Sequence, residues 1–243
     1  MNKSREILYE GKAKIIIQLD DATAVVQHFK DDVTAFNSLK RDSIVNKGII
    51  NNRISYLLMQ HLEKCGIATH MLEFLNDREQ RVKRLDMIPI EVVVRNIAAG
   101  SICKKFGIPK GKVFSAPLVE LYYKSDELAD PMISEDHALH FELVTHSELQ
   151  HIRALVLEIN NVLRTVFDAV DVLLVDFKLE FGRNPYDHNN IVLADEISPD
   201  TCRLWDKSTH IALDKDLYRL GIGGVQEGYS TVLQRIEKFF GQA

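Results

Sequence analysis

The stretch Leu173-Leu174-Val175-Asp176-Phe177-Lys178-Leu179-Glu180-Phe181-Gly182 passes from an apolar run into strict alternation. Residues two apart in a strand share a face, so Asp176, Lys178 and Glu180 point one way. Phe177, Leu179 and Phe181 point the other way, toward a core. A strand that gives one whole face to two carboxylates and an ammonium is usually serving a ligand. The next strand-like run, Ile191 to Ile197, brings a second acidic pair, Asp195-Glu196. Gly182 to Asn190 between them is turn chemistry throughout, which predicts a long-looped hairpin with Glu180 near Asp195. Magnesium takes hard oxygen ligands, typically one or two carboxylates plus phosphate oxygens and water. The pair therefore suits Mg2+ carried with phosphate, and Lys178 could neutralise phosphate or a substrate carboxylate. A salt-bridged, solvated sheet face is the alternative reading of the same residues.

At 243 residues the chain can form one large domain or two modest ones, and 46% apolar residues suffice for a core. A net charge of −5 disfavours general nucleic-acid or anionic-membrane binding. Cys65, Cys103 and Cys202 are widely spaced and form no C-x-x-C pair, which argues for reduced thiols in a cytosol-like compartment. The start, Met1 to Glu6, has no signal-peptide apolar core, and no run is long enough to span a bilayer. The expectation is a cytoplasmic protein.

Residues 8–29 read as a β-meander. Asn46 to Cys65 reads as a helix ended by Gly66, with Ile50, Ile54, Leu57, Leu58 and Leu62 at helical spacing. Strand-like runs follow at 69–75 and 81–85. Pro89 then predicts an interruption, with a new strand from Ile90 to Arg95 and a boundary near 87–89. Two lobes are expected, a β-rich one over 1–88 and an α+β one over 89–243. Ser101 to Phe106 predicts a short helix ended by Gly107. Residues 109–140, with Pro117 and Asp130-Pro131, read as loop-rich. Ser147 to Gln150 has capping-box form and opens a helix to about Phe167. After Gly221 to Gly224 a last helix carries Val225, Tyr229, Val232, Leu233, Ile236 and Phe240 at core spacing. The mixture is α+β, with mainly antiparallel pairing in both halves.

Tyr9-Glu10-Gly11-Lys12-Ala13-Lys14 sits just before a strand. A glycine there lets backbone approach a phosphate, and two lysines spaced by one residue share a face. By itself the segment reads as an ordinary turn, and the acidic hairpin is what gives it weight. Arg95-Asn96-Ile97-Ala98-Ala99-Gly100-Ser101 ends an apolar strand on an arginine and leads into a helix start. Such a guanidinium, hydroxyl and helix start suit a phosphate ester; equally, Ser101 can be a plain N-cap and Arg95 a structural ion-pair partner. Arg203 could join the same anion site. His137, His140, His146 and His151 fit no metal spacing and read as surface or structural residues. There is no G-x-S-x-G elbow, Walker A or H-R-D motif, and Asp176-Phe177 lacks the glycine of a kinase D-F-G.

Several segments, in order, closely resemble the phosphoribosylaminoimidazole-succinocarboxamide synthase (SAICAR synthetase) family. They are 9–14, Lys47-Gly48, 85–89, 91–96, Ala99-Gly100-Ser101, Asp130-Pro131-Met132, 175–182, 194–200 and 203–206. They cover nearly the whole chain, at the length of the compact bacterial form. Ile197 stands where relatives often carry phenylalanine, an apolar exchange that touches no role. The loop 182–190 looks variable, so its residues are assigned nothing.

The resemblance implies a two-lobed fold with ATP in the cleft between lobes, akin to kinase and ATP-grasp sites. It implies that ATP, L-aspartate and 5-amino-1-(5-phosphoribosyl)imidazole-4-carboxylate become the succinocarboxamide, ADP and phosphate in de novo purine synthesis. Gly11, Lys12, Ala13 and Lys14 should cover the ATP phosphates, and the linker Lys83 to Met87 should contact adenine. Glu180 and Asp195 take the magnesium role. Arg95, Ser101 and Arg203 take the phosphoribosyl-imidazole role, with Asp176 and Lys178 beside that substrate; Lys12, Asp176 and Lys178 are the catalytic candidates. Asp32 to Phe36 should approach the aspartate. A homodimer is also implied. Two rivals use the same cleft: a small-molecule kinase, which would not need aspartate, and a nucleotide sensor without turnover.

Overall fold

In the computed structural model, which describes residues 6–35 and 40–241, the meander forms as expected. Strands β1 (Ile7–Glu10), β2 (Lys14–Gln18) and β3 (Ala24–Phe29) pair antiparallel in succession. β4 (Asp32–Ala35) and β5 (Lys40–Ser43) make a separate ribbon. Helix α1 (Lys47–Lys64) buries Ile50, Ile54, Leu58 and Leu62 along one stripe. It stops where Gly66 takes φ +89°, a left-handed conformation that costs glycine little. β6 (Met71–Asn76) and β7 (Glu79–Lys83) then pair, and β7 adds to the free edge of β3. Among the described residues this first sheet has the order β1-β2-β3-β7-β6.

The second sheet begins with β8 (Asp86–Ile97), which continues straight through Pro89. The predicted interruption is therefore wrong, for an identifiable reason. Pairing of β8 with the next strand of the sheet starts only at Ile90, and on its other edge the register slips between Glu180 and Gly182. The N–H that proline lacks falls at that irregularity, where no ladder bond needs it. The Pro89 carbonyl still accepts from the Lys124 N–H at 3.0 Å.

Helix α2 (Ser101–Phe106) matches its predicted span. The segment read as loop-rich holds an eleven-residue strand instead, β9 (Val113–Tyr123), followed by β10 (Met132–Ile133) and helix α3 (Glu135–His140). Pro117 sits in the irregular stretch between the Ile97–Val113 and Arg95–Leu118 pairs, so it interrupts no regular ladder. Helix α4 (His146–Ala169) has its cap two residues before the predicted one. Thr145 caps it, its hydroxyl accepting from the Glu148 N–H while Glu148 accepts from the Thr145 N–H.

β11 (Val172–Asn184) and β12 (Asp187–Ala194) form the expected hairpin, but its loop is only Pro185-Tyr186, since pairing runs out to Asn184 and Asp187. Backbone ladder bonds tolerate the turn-forming side chains that suggested a long loop. β13 (Cys202–Asp206) pairs with the first half of β11 along the edge that β12 occupies farther on. Helices α5 (Asp216–Leu220) and α6 (Val225–Gly241) close the chain.

β11 is the axis of the second sheet. β8 flanks one edge, and β13 then β12 flank the other. Phe177, Leu179 and Phe181 are each 1% exposed and pack with α1, α4 and α6 residues in the main core. The two sheets are joined by backbone: the His70 N–H donates to the Leu193 carbonyl at 2.8 Å, and the Leu193 N–H to the Ala68 carbonyl at 3.1 Å. No helix among the described residues is long and apolar enough to cross a membrane.

Candidate active site

The polar face of β11 organises the site by register. Asp176 lies opposite Arg95 of β8 on one side and Arg203 of β13 on the other. Glu180 lies opposite Glu91 of β8 and Ala194 of β12, the residue before Asp195. Cross-strand partners have Cβ atoms about 5 Å apart, so these rows meet without any long-range loop arrangement.

In the first row Asp176, 4% exposed, accepts from Arg95 Nη1 at 2.8 Å and from Arg203 Nη1 at 3.0 Å. Arg95 also donates to Glu120 Oε2 at 2.8 Å, Ser101 Oγ at 3.1 Å and the Tyr122 hydroxyl at 3.4 Å. Arg203 donates Nε–H to Asp216 at 2.8 Å, and Asp216 is shared with Arg219. Gly100, at φ +64°, completes the corner: a Cβ there would lie 2.5 Å from an Arg203 guanidinium nitrogen. The guanidinium rests on bare backbone. Arg95, Ser101, Asp176, Lys178 and Arg203 together line a cavity of about 330 Å³. The structure thus joins the two readings left open for Arg95, because the residue is both an ion-pair partner and a cavity wall.

The second row is a lattice of opposite charges. Lys178 Nζ reaches Glu180 Oε1 at 2.5 Å, Glu91 Oε1 at 3.1 Å and Asp195 Oδ2 at 3.3 Å. Lys124 takes the other Glu180 oxygen at 2.5 Å. Lys14 pairs with Asp195 Oδ1 and with Glu196 Oε1, the latter at 2.9 Å. Burial works against the ammonium of Lys178, but Glu180, Asp195 and Glu91 outweigh it and raise its pKa well above the usual value. Burial likewise opposes the Asp195 carboxylate, and Lys14 and Lys178 outweigh it, so its pKa is lowered. Asp195 holds a left-handed backbone, φ +63°, and its carbonyl accepts from Gln27 Nε2 of β3 at 3.4 Å.

Glu180 and Asp195 thus stand close enough to share one ammonium. Among the described residues no cluster of three or more His, Cys, Asp or Glu could hold a metal by itself. Two carboxylates with lysines on their oxygens fit a divalent ion whose remaining ligands are phosphate oxygens and water. They do not fit a closed structural metal site.

Between the sheets lies a cleft of about 830 Å³. Leu8, Ile16, Val25 and Val82 give it an apolar wall, and Gly11, Ala13, Lys14, Lys83 and Met87 all line it, as does the second row. Two predicted residues behave differently inside this set. Lys12 extends to exposed Asp126 at 2.8 Å, which places its ammonium at the mouth. Lys83 Nζ is engaged by the Thr69 carbonyl at 2.8 Å. Asp32 pairs with Lys30 at 2.6 Å beside the cleft, whereas Phe36 lies outside the described residues.

The sequence reading gave several site residues no role, although Glu91, Lys47 and Asp200 lie in the segments that carry the resemblance. Glu91 shares a β8 face with Arg95, so period-2 alternation could have found it. Glu120 belongs to β9, in the segment read as loop, and Lys124 follows the last residue of that strand. Lys215 and the Lys47–Asp200 pair come from three separate segments, and no local pattern links them.

Residues 7–236 match the family model for SAICAR synthetase. A phosphoribosylaminoimidazole-succinocarboxamide synthase from Wolbachia pipientis is 52% identical over 229 residues, which are 94% of this chain and 95% of the relative. A crystal structure of the Ehrlichia chaffeensis enzyme of that name is 54% identical, with a TM-score of 0.94 over 96% of this chain and 98% of its own. A SAICAR synthetase in complex with ADP is 44% identical, with a TM-score of 0.91 over 95% of this chain and 97% of its own. By sequence and by fold, the chain belongs to the SAICAR synthetase family.

Proposed function

We infer that this protein is the ATP-dependent ligase of purine biosynthesis that joins L-aspartate to 5-amino-1-(5-phospho-D-ribosyl)imidazole-4-carboxylate, giving the succinocarboxamide, ADP and phosphate. The observation that carries the reading is the single polar face of β11. It feeds an arginine-lined cavity at one end and a lysine-carboxylate cleft at the other. A small-molecule kinase is not favoured, since the relatives are amide-forming synthases.

The chemical problem is a carboxylate that resists attack by an amine. ATP converts it to an acyl phosphate, and the amine then expels phosphate. On this reading Arg95, Ser101 and Arg203 grip the phosphoribosyl end, a role suited to guanidinium forks and a hydroxyl. Asp176 keeps both forks aimed. The reacting carboxylate then faces Lys178 along the strand. Gly11, Ala13 and Lys14 lie along the nucleotide's phosphates, Lys12 guards the mouth, and residues 83–87 meet the base. Lys14 and Lys178 supply fixed positive charge where phosphoryl transfer builds negative charge. Glu180 and Asp195 would hold Mg2+, which when bound polarises phosphoryl oxygens. We place the boundary between the lobes ahead of β8 rather than at 88–89, since that strand runs unbroken through Pro89, and we place the enzyme in the cytoplasm as a homodimer.

The test is ADP release with one component omitted at a time. ADP should require both the imidazole carboxylate and L-aspartate. Steady ADP release without aspartate, at the full rate, would overturn the ligase reading in favour of a kinase.

A further inference from the structure

Most cations in the walls of the two cavities are paired with carboxylates; of the others, Arg84 and Lys105 are exposed to solvent and Lys83 is met by the Thr69 carbonyl. Lys14, Lys124 and Lys178 share Glu91, Glu180, Asp195 and Glu196, while Arg95, Arg203 and Arg219 share Glu120, Asp176 and Asp216. Lys215 departs from this pattern. Its side chain is only 14% exposed, and its nearest carboxylate oxygen is Asp200 Oδ1, at 4.0 Å. Its ammonium has no hydrogen-bond acceptor among the described residues, and its backbone N–H is used by the Pro199 carbonyl at 3.2 Å.

Asp200 cannot serve as its counter-ion in the ordinary way. That carboxylate already accepts from Lys47 Nζ at 2.5 Å, Asn51 Nδ2 at 2.9 Å and the Tyr229 hydroxyl at 2.8 Å. Lys47 is 1% exposed and needs Asp200 for itself. A half-shared carboxylate leaves Lys215 short of acceptors, and burial lowers its pKa. A buried ammonium without acceptors is costly, and the cost is relieved when a carboxylate arrives.

Its location says which carboxylate. Lys215 lines the nucleotide cleft beside Asp195 and Glu196. Asp200 and Thr201, the ridge next to it, line both that cleft and the arginine-lined cavity. Lys215 therefore stands where the two cavities meet. In the proposed reaction the amine must arrive at that junction, carried by an amino acid with two carboxylates.

We propose that Lys215 is the anchor for a carboxylate of the amino-acid substrate, holding it at the junction so that its amine faces the activated carbon. The proposal rests on the ligase reading above. It assigns the ammonium a binding role, with the Lys47–Asp200–Tyr229 cluster fixing its position. A cation already satisfied by protein carboxylates would lose as much as it gained on meeting the substrate; Lys215 loses almost nothing.

The experiment compares Lys215→Met, which keeps length without charge, and Lys215→Arg with the parent enzyme. Steady-state KM values are measured for L-aspartate, ATP and the imidazole carboxylate. Succinate, a dicarboxylate without an amine, is titrated calorimetrically into each folded protein with ADP present. In Lys215→Met the KM for L-aspartate should rise about ten- to a hundredfold, as for a lost charge-assisted hydrogen bond. The KM values for the other two substrates should stay within about threefold, and succinate binding should weaken in parallel. Lys215→Arg should recover part of the loss. A Lys215→Met enzyme with unchanged KM for L-aspartate and unchanged succinate affinity would overturn the proposal. So would a rise confined to ATP or the imidazole carboxylate. If Lys215→Met turns over too slowly for KM values, succinate titration of the cooperatively melting protein decides alone. Failure of the parent enzyme to require L-aspartate at all would instead count against the ligase reading.

Discussion

Replacing Asp176 with asparagine removes one negative charge from between buried Arg95 and half-buried Arg203 and changes little else in shape. In the parent protein its two oxygens accept three guanidinium bonds, one from Arg95 at 2.8 Å and two from Arg203 at 3.0 Å. The substitution leaves Arg95 with Glu120 and Arg203 with Asp216 as their remaining carboxylates. Removing the sole partner of a buried charge costs about 3–5 kcal/mol. Each arginine here keeps one carboxylate, so the expected loss lies near the bottom of that range, about 3 kcal/mol. For a chain of this size that corresponds to a fall in Tm of about 6–12 °C. The under-neutralised arginines should also bind an added anion more tightly than in the parent. Inorganic phosphate should therefore raise the variant's Tm by more than the parent's, by mass action on the folded state. Thermal melts with and without phosphate check both statements. A variant melting within about 2 °C of the parent, with no greater response to phosphate, would show that Asp176 does not balance these arginines.

Gly100→Ala should push Arg203 off its backbone seat, because the added Cβ would fall 2.5 Å from its guanidinium and φ is +64°. The KM for the phosphoribosyl substrate should rise at least tenfold while that for ATP stays nearly fixed, measured by steady-state kinetics. Glu180→Gln and Asp195→Asn should each reduce turnover by orders of magnitude while cooperative melting persists; near-parental rates with magnesium would remove both residues from the metal role. Two acid windows should separate in stability measurements. His70 is buried neutral, burial depressing its pKa to about 4, so protonation favours the unfolded chain and stability falls as pH drops from about 6.5 toward 4. Arg183 and the Thr145 N–H hold Glu148 down at about 2, so its contribution is whole above about 4.5 and fades toward pH 2. His70→Gln should flatten the first window and Glu148→Gln the second, in urea titrations at stepped pH.

The alternation through Asp176, Lys178 and Glu180 revealed the face of β11, its orientation and its nearness to Asp195, because period-2 patterning is a local property. It could not reveal that β13 and β12 share one edge of β11 in succession. That arrangement brings Arg203 to Asp176 and Asp195 to Glu180, and it is set by tertiary register. Pro89 and Pro117 misled for one reason: both sit where the ladder is already irregular, so the missing N–H has no consequence. Thr145 was overlooked as a cap since Ser147 two residues on also begins a plausible box. The ordered motifs assigned Gly11, Lys14, Arg95, Ser101 and Arg203 by resemblance; Gly11 and Lys14 line the cleft, and Arg95, Ser101 and Arg203 line the arginine-walled cavity. Lys12 and Lys83 carry the same kind of pattern, yet one reaches out to Asp126 and the other in to the Thr69 carbonyl. Side-chain destination depends on which acceptor lies nearest, and sequence spacing does not encode it.

The charge lattice of the cleft also bears on why nucleotide and divalent ion should arrive together. Lys14, Lys124 and Lys178 each rest on Glu180, Asp195 or both. A triphosphate entering alone would draw the lysines toward itself and leave those two carboxylates facing each other and an added polyanion. In so buried a place that repulsion is expensive. A triphosphate that brings a divalent cation offers both signs at once. Each lysine would exchange a carboxylate for a phosphate oxygen, and each carboxylate would exchange an ammonium for the ion, so no buried charge would be left without a counter-charge. On the proposed assignment the same lysines that neutralise Glu180 and Asp195 beforehand become the phosphate ligands afterwards. It follows that ADP affinity should climb steeply with magnesium in the parent protein. The climb should be much shallower in the Glu180→Gln, Asp195→Asn double variant, whose lysines keep only Glu91 and Glu196 as carboxylate partners and can meet phosphate with less help from the ion. Calorimetric titration of ADP across a magnesium series measures that slope. Equal slopes in the two proteins would mean that the lattice and the ion are independent.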